Sequence, residues 1–243
     1  MIFDVKRVEI TESTNADLKA EARAGAPIGR VIVADRQSGG RGRMDRAFSS
    51  AEGGLYMSLL LPLDNPSYAG LVTTFAAVAV ARAVESLFEL EVGIKWVNDL
   101  LVDGKKICGI LAEGVPTEYG YRVVLGIGVN LQNSLPKELS DIAATLFELS
   151  GKKMTPSSLV DAILSEFESF PQLNYNDILA EYRHRCVVIG KNITVIPHCA
   201  PCFQAKALDV LDDGSLWVER LDNGEKTKVF SGEVSTKLLR SEK

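Results

Sequence analysis

The 243-residue chain is 46% hydrophobic and 24% charged, which supplies a sizeable core and speaks against a disordered or fibrous protein. Its net charge of −5 argues against the broad positive field that drives sequence-independent nucleic-acid binding. Four cysteines are few for a disulfide scaffold, and the opening MIFDVKRVEI lacks the layout of a secretion signal, so a cytoplasmic protein is expected.

Residues 3–10 alternate like a half-buried strand. TESTNADLKAEARAG then offers Ser13, Thr14 and Asn15 as cap candidates, a helical stretch, and Gly25 as its stop. RVIVA (30–34) and GLYMSLLL (54–61) read as strands, and Ser67–Phe88 as a long apolar helix. The uncharged run Asn65–Ala81 is short for a bilayer and holds Pro66, Ser67, Thr73 and Thr74, so it is read as buried, with no membrane partner. VGIKW (92–96) opens a strand series that turns at Asp103-Gly104 into KKICGILAEG and YRVVLGIGVNL. Helical patterns follow near 138–150, at 155–170 with Thr155 as cap and Pro156 at the first turn, and at 174–185. From about 188 the texture changes to short strands punctuated by Asp213-Gly214 and Asn223-Gly224. The expected fold class is α+β, a mixed sheet with helices packed on it over residues 1–187, followed by a small β-barrel over 188–243.

Three stretches could carry chemistry. In QSGGRGRMDRAF (37–48), Gly39, Gly40 and Gly42 free the backbone to aim consecutive N–H groups at one anion, and Arg41, Arg43 and Arg46 add forked donors. A phosphate cradle, a solvated turn and an RNA-binding arginine patch all fit that composition. In KWVNDLLVDGKKICGILAE (95–113), alternation puts Lys106, Cys108 and Ile110 on one face. If that face is inward, Lys106 needs an anion, either Asp99 or a ligand; the alternative is Lys106 at the surface. In LGIGVNL (125–131), Gly126 and Gly128 mark either the close approach of another group or plain packing. His184, Cys186, His198, Cys199 and Cys202 fall within nineteen residues, yet Cys199-x-x-Cys202 stands without a second such pair, so no metal site is expected.

Together these stretches resemble the biotin protein ligases in order and approximate spacing. The resemblance rests on Ser13-Thr14-Asn15, on Gln37 with Gly40-Arg41-Gly42-Arg43, on Lys95-Trp96-Val97-Asn98-Asp99, on Lys106 with Gly109-Ile110-Leu111, and on Gly126-Ile127-Gly128-Val129-Asn130. SGEVS (231–235) resembles the end of the family's C-terminal SH3-like barrel. The resemblance implies an enzyme that adenylates biotin with ATP and Mg²⁺ as co-substrates and transfers biotin to a lysine of a biotin carboxyl carrier protein, with no bound prosthetic group.

By the same resemblance, Lys106, Arg43 and Arg46 offset developing charge and Asp99 assists the carrier lysine. Ser13, Thr14, Asn15, Gln37, Arg41, Gly42, Arg43, Lys106 and Gly109 line the biotin site. Gly40, Arg41, Gly42, Arg43, Arg46, Phe48, Asn130 and Lys237 face ATP or the adenylate. Val97, Asp45 and Phe48 stand where the family often has Pro, Gly and Trp; none removes a needed functional group, although Phe48 loses the indole donor. The sequence begins close to Ser13, which leads to the expectation of no helix-turn-helix and no DNA partner. An apolar strand edge is expected to serve a homodimer or the carrier. A lipoate or octanoate ligase of the same fold and a non-catalytic phosphate or RNA-binding module are the rival readings.

Overall fold

The computed structural model describes residues 1–63, 69–169, 174–197 and 200–236, the side chains of 45 and 69 excepted. Seven strands build a mixed sheet: β1 (Asp4–Thr11), β2 (Arg30–Gln37), β3 (Leu55–Pro62), β4 (Gly93–Lys95), β5 (Asp99–Val102), β6 (Lys105–Thr117) and β7 (Gly120–Val129). Their spatial order is β1-β2-β3-β7-β6-β5-β4, with β1 and β2 parallel and every other neighbouring pair antiparallel. The β-branched runs of β2 and β7 are buried on both faces, as a central strand requires. Asp103 and Gly104 both take positive φ, 49° and 76°, the geometry of a tight two-residue hairpin turn.

One face of this sheet carries α1 (Thr14–Arg23) over Ile32, Leu60, Val115 and Val124. The other carries α2 (Ala69–Phe88), on which α4 (Pro156–Ser169) and α5 (Tyr175–Arg185) pack. From Gly70 onward α2 is long and apolar enough to cross a membrane, but Ala76–Ala81 is fully buried against the protein. Small alanine side chains let the helix lie close to the sheet, which accounts for a composition otherwise suggestive of lipid. Arg82 and Arg185 tie the helices together through Glu181 and Glu85.

The second sheet is antiparallel: β8 (Asn192–Ile196), β9 (Phe203–Val210), β10 (Leu216–Arg220), β11 (Lys226–Val229) and β12 (Glu233–Ser235), in the order β11-β10-β9-β8-β12. The stretch TKVFSGEV is therefore two strands at opposite ends of the sheet, parted by a turn with Gly232 at φ 116°. The sheets meet through Trp96, whose indole N–H donates to the Gly214 carbonyl at 3.0 Å, and through Arg183, which donates to the Val210 carbonyl at 2.6 Å.

Two expectations fail here. The helix near 138–150 shrinks to a 3₁₀ turn at Lys137–Leu139 and α3 (Leu146–Ser150), because the intervening backbone bonds to β6 instead: Lys106 N–H to the Ile142 carbonyl and Ala144 N–H to the Lys106 carbonyl. The sheet edge is also not apolar, since β1 carries Asp4, Lys6, Arg7 and Glu9, while β4 at the other edge is bridged at Ile94 by Cys186.

Candidate functional site

The face bearing α1 also carries the site. Two cross-strand rows form its floor: Ser58, Gly126 and Leu111, then Tyr56, Gly128, Gly109 and Asp99. The strand glycines make room for side chains. A Cβ on Gly126 would lie 2.3 Å from Asn15 Oδ1, and one on Gly128 would lie 2.6 Å from the Phe48 ring. Gly109 leaves space for both Phe48 and the Lys106 ammonium.

At one end sits a hydrogen-bonded cluster at the start of α1. Ser13, Thr14 and Asn15 are all buried, and Ser13 Oγ caps the helix by accepting from the Ala16 amide at 3.4 Å. Gln37, closing β2, accepts the Thr14 backbone N–H at 2.9 Å through Oε1, with Thr14 Oγ1 at 3.1 Å, and donates to Ser50 Oγ at 2.9 Å. Beneath them Ser58 Oγ lies 2.7 Å from Thr14 Oγ1 and 2.6 Å from Asn15 Oδ1. Asn15 Nδ2 donates to Glu113 Oε2 at 2.7 Å, and Lys19 Nζ donates to Glu113 Oε1 at 2.7 Å.

The glycine and arginine stretch leaves β2 as a loop clasped on itself, with Arg41 and Ala47 bridged and Phe48 N–H donating to the Gly40 carbonyl at 2.9 Å. Its glycines do not act as expected. Gly39 and Gly42 spend their N–H groups on the Glu12 and Arg46 carbonyls, and the positive φ in the loop belongs to Met44, at 54°. Gly40 is needed for space, since a Cβ there would meet Ser50 Oγ at 2.4 Å. The charge offered to a ligand thus comes from arginine side chains.

Those side chains rest on protein partners. Arg43 donates to Asn98 Oδ1 at 3.2 Å, and burial draws its pKa down while the Asp99 charge opposes that shift. Arg46 pairs with Glu233 of β12 at 2.7 Å, and exposed Arg41 stands 3.9 Å from Glu12. Lys106 Nζ lies 2.6 Å from Asp99 Oδ1 and 5.9 Å from the Phe48 ring centroid. The expected face for Lys106 is wrong in detail. A bulge shifts the β5–β6 register between Leu100 and Leu101, pairing Leu101 with Lys106. Lys106 therefore shares the face of Gly109 and Asp99, whereas Cys108 points to the core, where burial pushes its thiol up.

One cavity of about 970 Å³, measured out to its open mouth, is lined by Ser13, Thr14, Asn15 and Gln37 toward one end and by Arg43, Asp99, Lys106 and Glu233 toward the other, while Ser50, Ser58 and Glu113 stand behind its wall. A wider cleft continues past Phe48, Ser49 and Asn130. Asn130 is buried, and its Nδ2 donates to the Lys106 carbonyl at 3.3 Å. Lys237, His198 and Cys199 lie outside the described residues. Among the described residues no cluster of three His, Cys, Asp or Glu side chains is placed to hold a metal, and Cys186 is buried in the core. Ser58, Glu113, Ser49 and Glu233 belong to the site or its support without having been singled out from sequence. Ser58 leaves a trace as the small hydroxyl residue inside LYMSLLL, and Glu113 and Glu233 lie within the stretches 95–113 and SGEVS without standing out there.

A polar pocket running into a cationic end on an open mixed sheet defines a class of site, one suited to a ligand that has a neutral polar part and an anionic part. Within that class, the chain belongs to the Biotin/lipoate A/B protein ligase family, whose model matches residues 7–130. It is 35% identical over 231 residues to the biotin--[acetyl-CoA-carboxylase] ligase of Mycobacterium tuberculosis, covering 91% of this chain and 84% of the relative. It is 34% identical to the bifunctional ligase/repressor BirA of Bacillus spizizenii, over 93% of this chain and 72% of that protein. A solved biotin protein ligase from Aquifex aeolicus in complex with biotin and ATP matches with a TM-score of 0.80 at 25% identity, over 96% of this chain and 98% of that one.

Proposed function

We propose that this chain is an ATP-dependent biotin ligase that forms biotinyl-5′-AMP and passes the biotinyl group to one lysine of a biotin carboxyl carrier protein. The observation that carries the reading is the single cavity whose neutral hydrogen-bonding end runs into Arg43, Lys106 and Asp99. The family match and the similarity to enzymes named as biotin ligases support it.

Ser13, Thr14, Asn15 and Gln37 hold the ureido ring, and Arg41 with the loop backbone at Gly40 and Gly42 closes over the valeryl chain. The biotin carboxylate then reaches the cationic end beside Gly109. There an oxygen of that carboxylate attacks the α-phosphorus of ATP and pyrophosphate leaves. Magnesium enters with the nucleotide as part of the substrate. Arg43, Arg46 and Lys106 offset the negative charge that the two anions bring together. Phe48 gives the adenylate a ring to pack on, and Asn130 faces the adenine side from the adjoining cleft. Lys237 is proposed to reach the phosphates.

Lys106 is held by Asp99 at 2.6 Å, so engaging the substrate anion exchanges one ion pair for another. That exchange frees the Asp99 carboxylate to take the proton from the incoming carrier lysine, whose nitrogen attacks the acyl carbon as AMP departs. Residues 1–187 form the catalytic part, and 188–243 a companion that lends Glu233 and supports Trp96. With ATP and the carrier as its substrates, the enzyme is placed in the cytosol.

The test supplies the purified protein with ATP, Mg²⁺, equal biotin and lipoate, and an unmodified carrier domain, and weighs the carrier by mass spectrometry. A biotin-sized increment supports the reading. A lipoyl-sized increment, or none on an acceptor that another biotin ligase modifies, overturns it.

A further inference from the structure

Ser58 is fully buried, does not line the cavity, and touches two residues that do. Its hydroxyl carries one proton, so its contacts to Thr14 Oγ1 and Asn15 Oδ1 cannot both be donations from Ser58. The surroundings decide between them. Asn15 turns its amide nitrogen to one oxygen of the Glu113 carboxylate at 2.7 Å, and the other oxygen accepts from the Lys19 ammonium at 2.7 Å. Both carboxylate oxygens are used as acceptors, so Asn15 cannot flip, and its Oδ1 must face Ser58 as an acceptor. A Cβ at Gly126 would displace Asn15 from this place, which is why the strand carries glycine there.

The proton of Ser58 is thereby committed to Asn15. The 2.7 Å contact with Thr14 Oγ1 then requires Thr14 to donate to Ser58. Gln37 Oε1 keeps the Thr14 backbone N–H, at 2.9 Å, and sits farther from the Thr14 hydroxyl, at 3.1 Å. Thr14 Oγ1, with its proton turned inward, presents lone pairs to the cavity. Ser13 Oγ, which accepts from a backbone amide, keeps its proton to give. The pocket end therefore offers an acceptor beside a donor.

We infer that Ser58, oriented by the chain Lys19–Glu113–Asn15, is a positioning residue that fixes Thr14 as an acceptor of a ligand N–H and so selects a cyclic urea over an acyl chain that lacks one. The inference rests on the proposed biotin reading and adds to it the source of discrimination within a family that also handles lipoate. A ring without N–H leaves Thr14 Oγ1 facing no donor, which costs affinity in a buried site.

The experiment measures biotin and ATP Michaelis constants and kcat for the wild type, Ser58→Ala, Ser58→Thr, Glu113→Ala and the double alanine variant, with thermal unfolding of each. Ser58→Ala is expected to raise the biotin KM about tenfold while kcat falls less than about threefold and the ATP KM stays within about twofold. Ser58→Thr keeps the hydroxyl and is expected to recover most of the loss. Glu113 is partly exposed, so its truncation tests the same chain with less risk to folding; it is expected to raise the biotin KM about threefold, and by less once Ser58 is already alanine. Three outcomes overturn the inference: a biotin KM within twofold of wild type in Ser58→Ala, equal rises in the biotin and ATP constants, or fully additive effects of the two alanines. If Ser58→Ala does not fold, Ser58→Thr and Glu113→Ala decide it, and an unchanged biotin KM in Glu113→Ala overturns it. A wild type that consumes no biotin is a failure of the biotin reading and is told apart at the first measurement.

Discussion

The two ends of the cavity are built on opposite principles. The end at Ser13, Thr14, Asn15 and the half-buried Gln37 is hydrogen-bonded through Ser50, Ser58 and Glu113, so its donors and acceptors are oriented before any ligand arrives. At the other end Lys106 rests on Asp99, Arg46 on Glu233 and Arg43 on Asn98. A neutral ring can be met by fixed dipoles, whereas charges that must meet two anions in turn need counterions they can leave. In the proposed reading, preorganisation at one end and exchangeable pairing at the other serve the two steps of a transfer through a bound adenylate.

The largest expected effect tests the exchange itself. Lys106→Ala should slow adenylate formation about 100- to 1,000-fold, read as single-turnover formation of biotinyl-AMP. If Lys106 only balanced Asp99, adding Asp99→Asn to that variant would restore the rate, and the contrast between the ends would collapse. Asp99→Asn alone should separate the half-reactions: adenylate formation within about threefold of wild type, transfer to the carrier slower by about 100-fold. Equal loss in both steps would return Asp99 to a purely structural partnership with Lys106. Arg43→Gly should release the adenylate about tenfold faster than wild type while slowing its formation less, because Arg43 joins the loop to Asn98 across the cavity. Adenylate retention through gel filtration reads this directly, and unchanged retention would remove Arg43 from the closing role.

Much of this layout is written in residue types. The turn Asp103-Gly104 and the cap at Thr155-Pro156 are local signals, and the structure keeps them. Lys106 is legible as a lysine in need of an anion, yet alternation assigns it the wrong face, because a bulge breaks the two-residue period and nothing in KKICGIL marks it. The loop glycines show the reverse error: glycine signals backbone freedom or lack of bulk alike, and only the surroundings of Gly40 reveal that bulk is what matters there, whereas the strand glycines Gly126 and Gly128 do mark the close approach of side chains, one of the two readings they allow. Glu113 and Glu233 stayed hidden because their partners, Asn15 and Arg46, lie 98 and 187 residues away in sequence.

The smallest expected effect concerns what supports the exchangeable end. Trp96 lines the cavity, and its indole is held by the Gly214 carbonyl in a turn of the second sheet. Asp213 shapes that turn by accepting from the Ser215 amide and hydroxyl and pairing with Lys228, which lowers its carboxyl from 3.8 to about 2. A carboxyl whose folded pKa lies below its unfolded value stabilises the fold fully above about pH 4 and loses that contribution as pH falls toward 2. The side chain is 42% exposed, so water screens the pair and the contribution at neutral pH is below about 1 kcal/mol. Asp213→Asn should therefore lower the unfolding midpoint slightly at pH 7, with the gap from wild type closing between pH 4 and pH 2. If Trp96 transmits the turn's order to the cationic end, the same variant raises the KM for ATP more than that for biotin; equal changes would mean that the second sheet supports both ends alike.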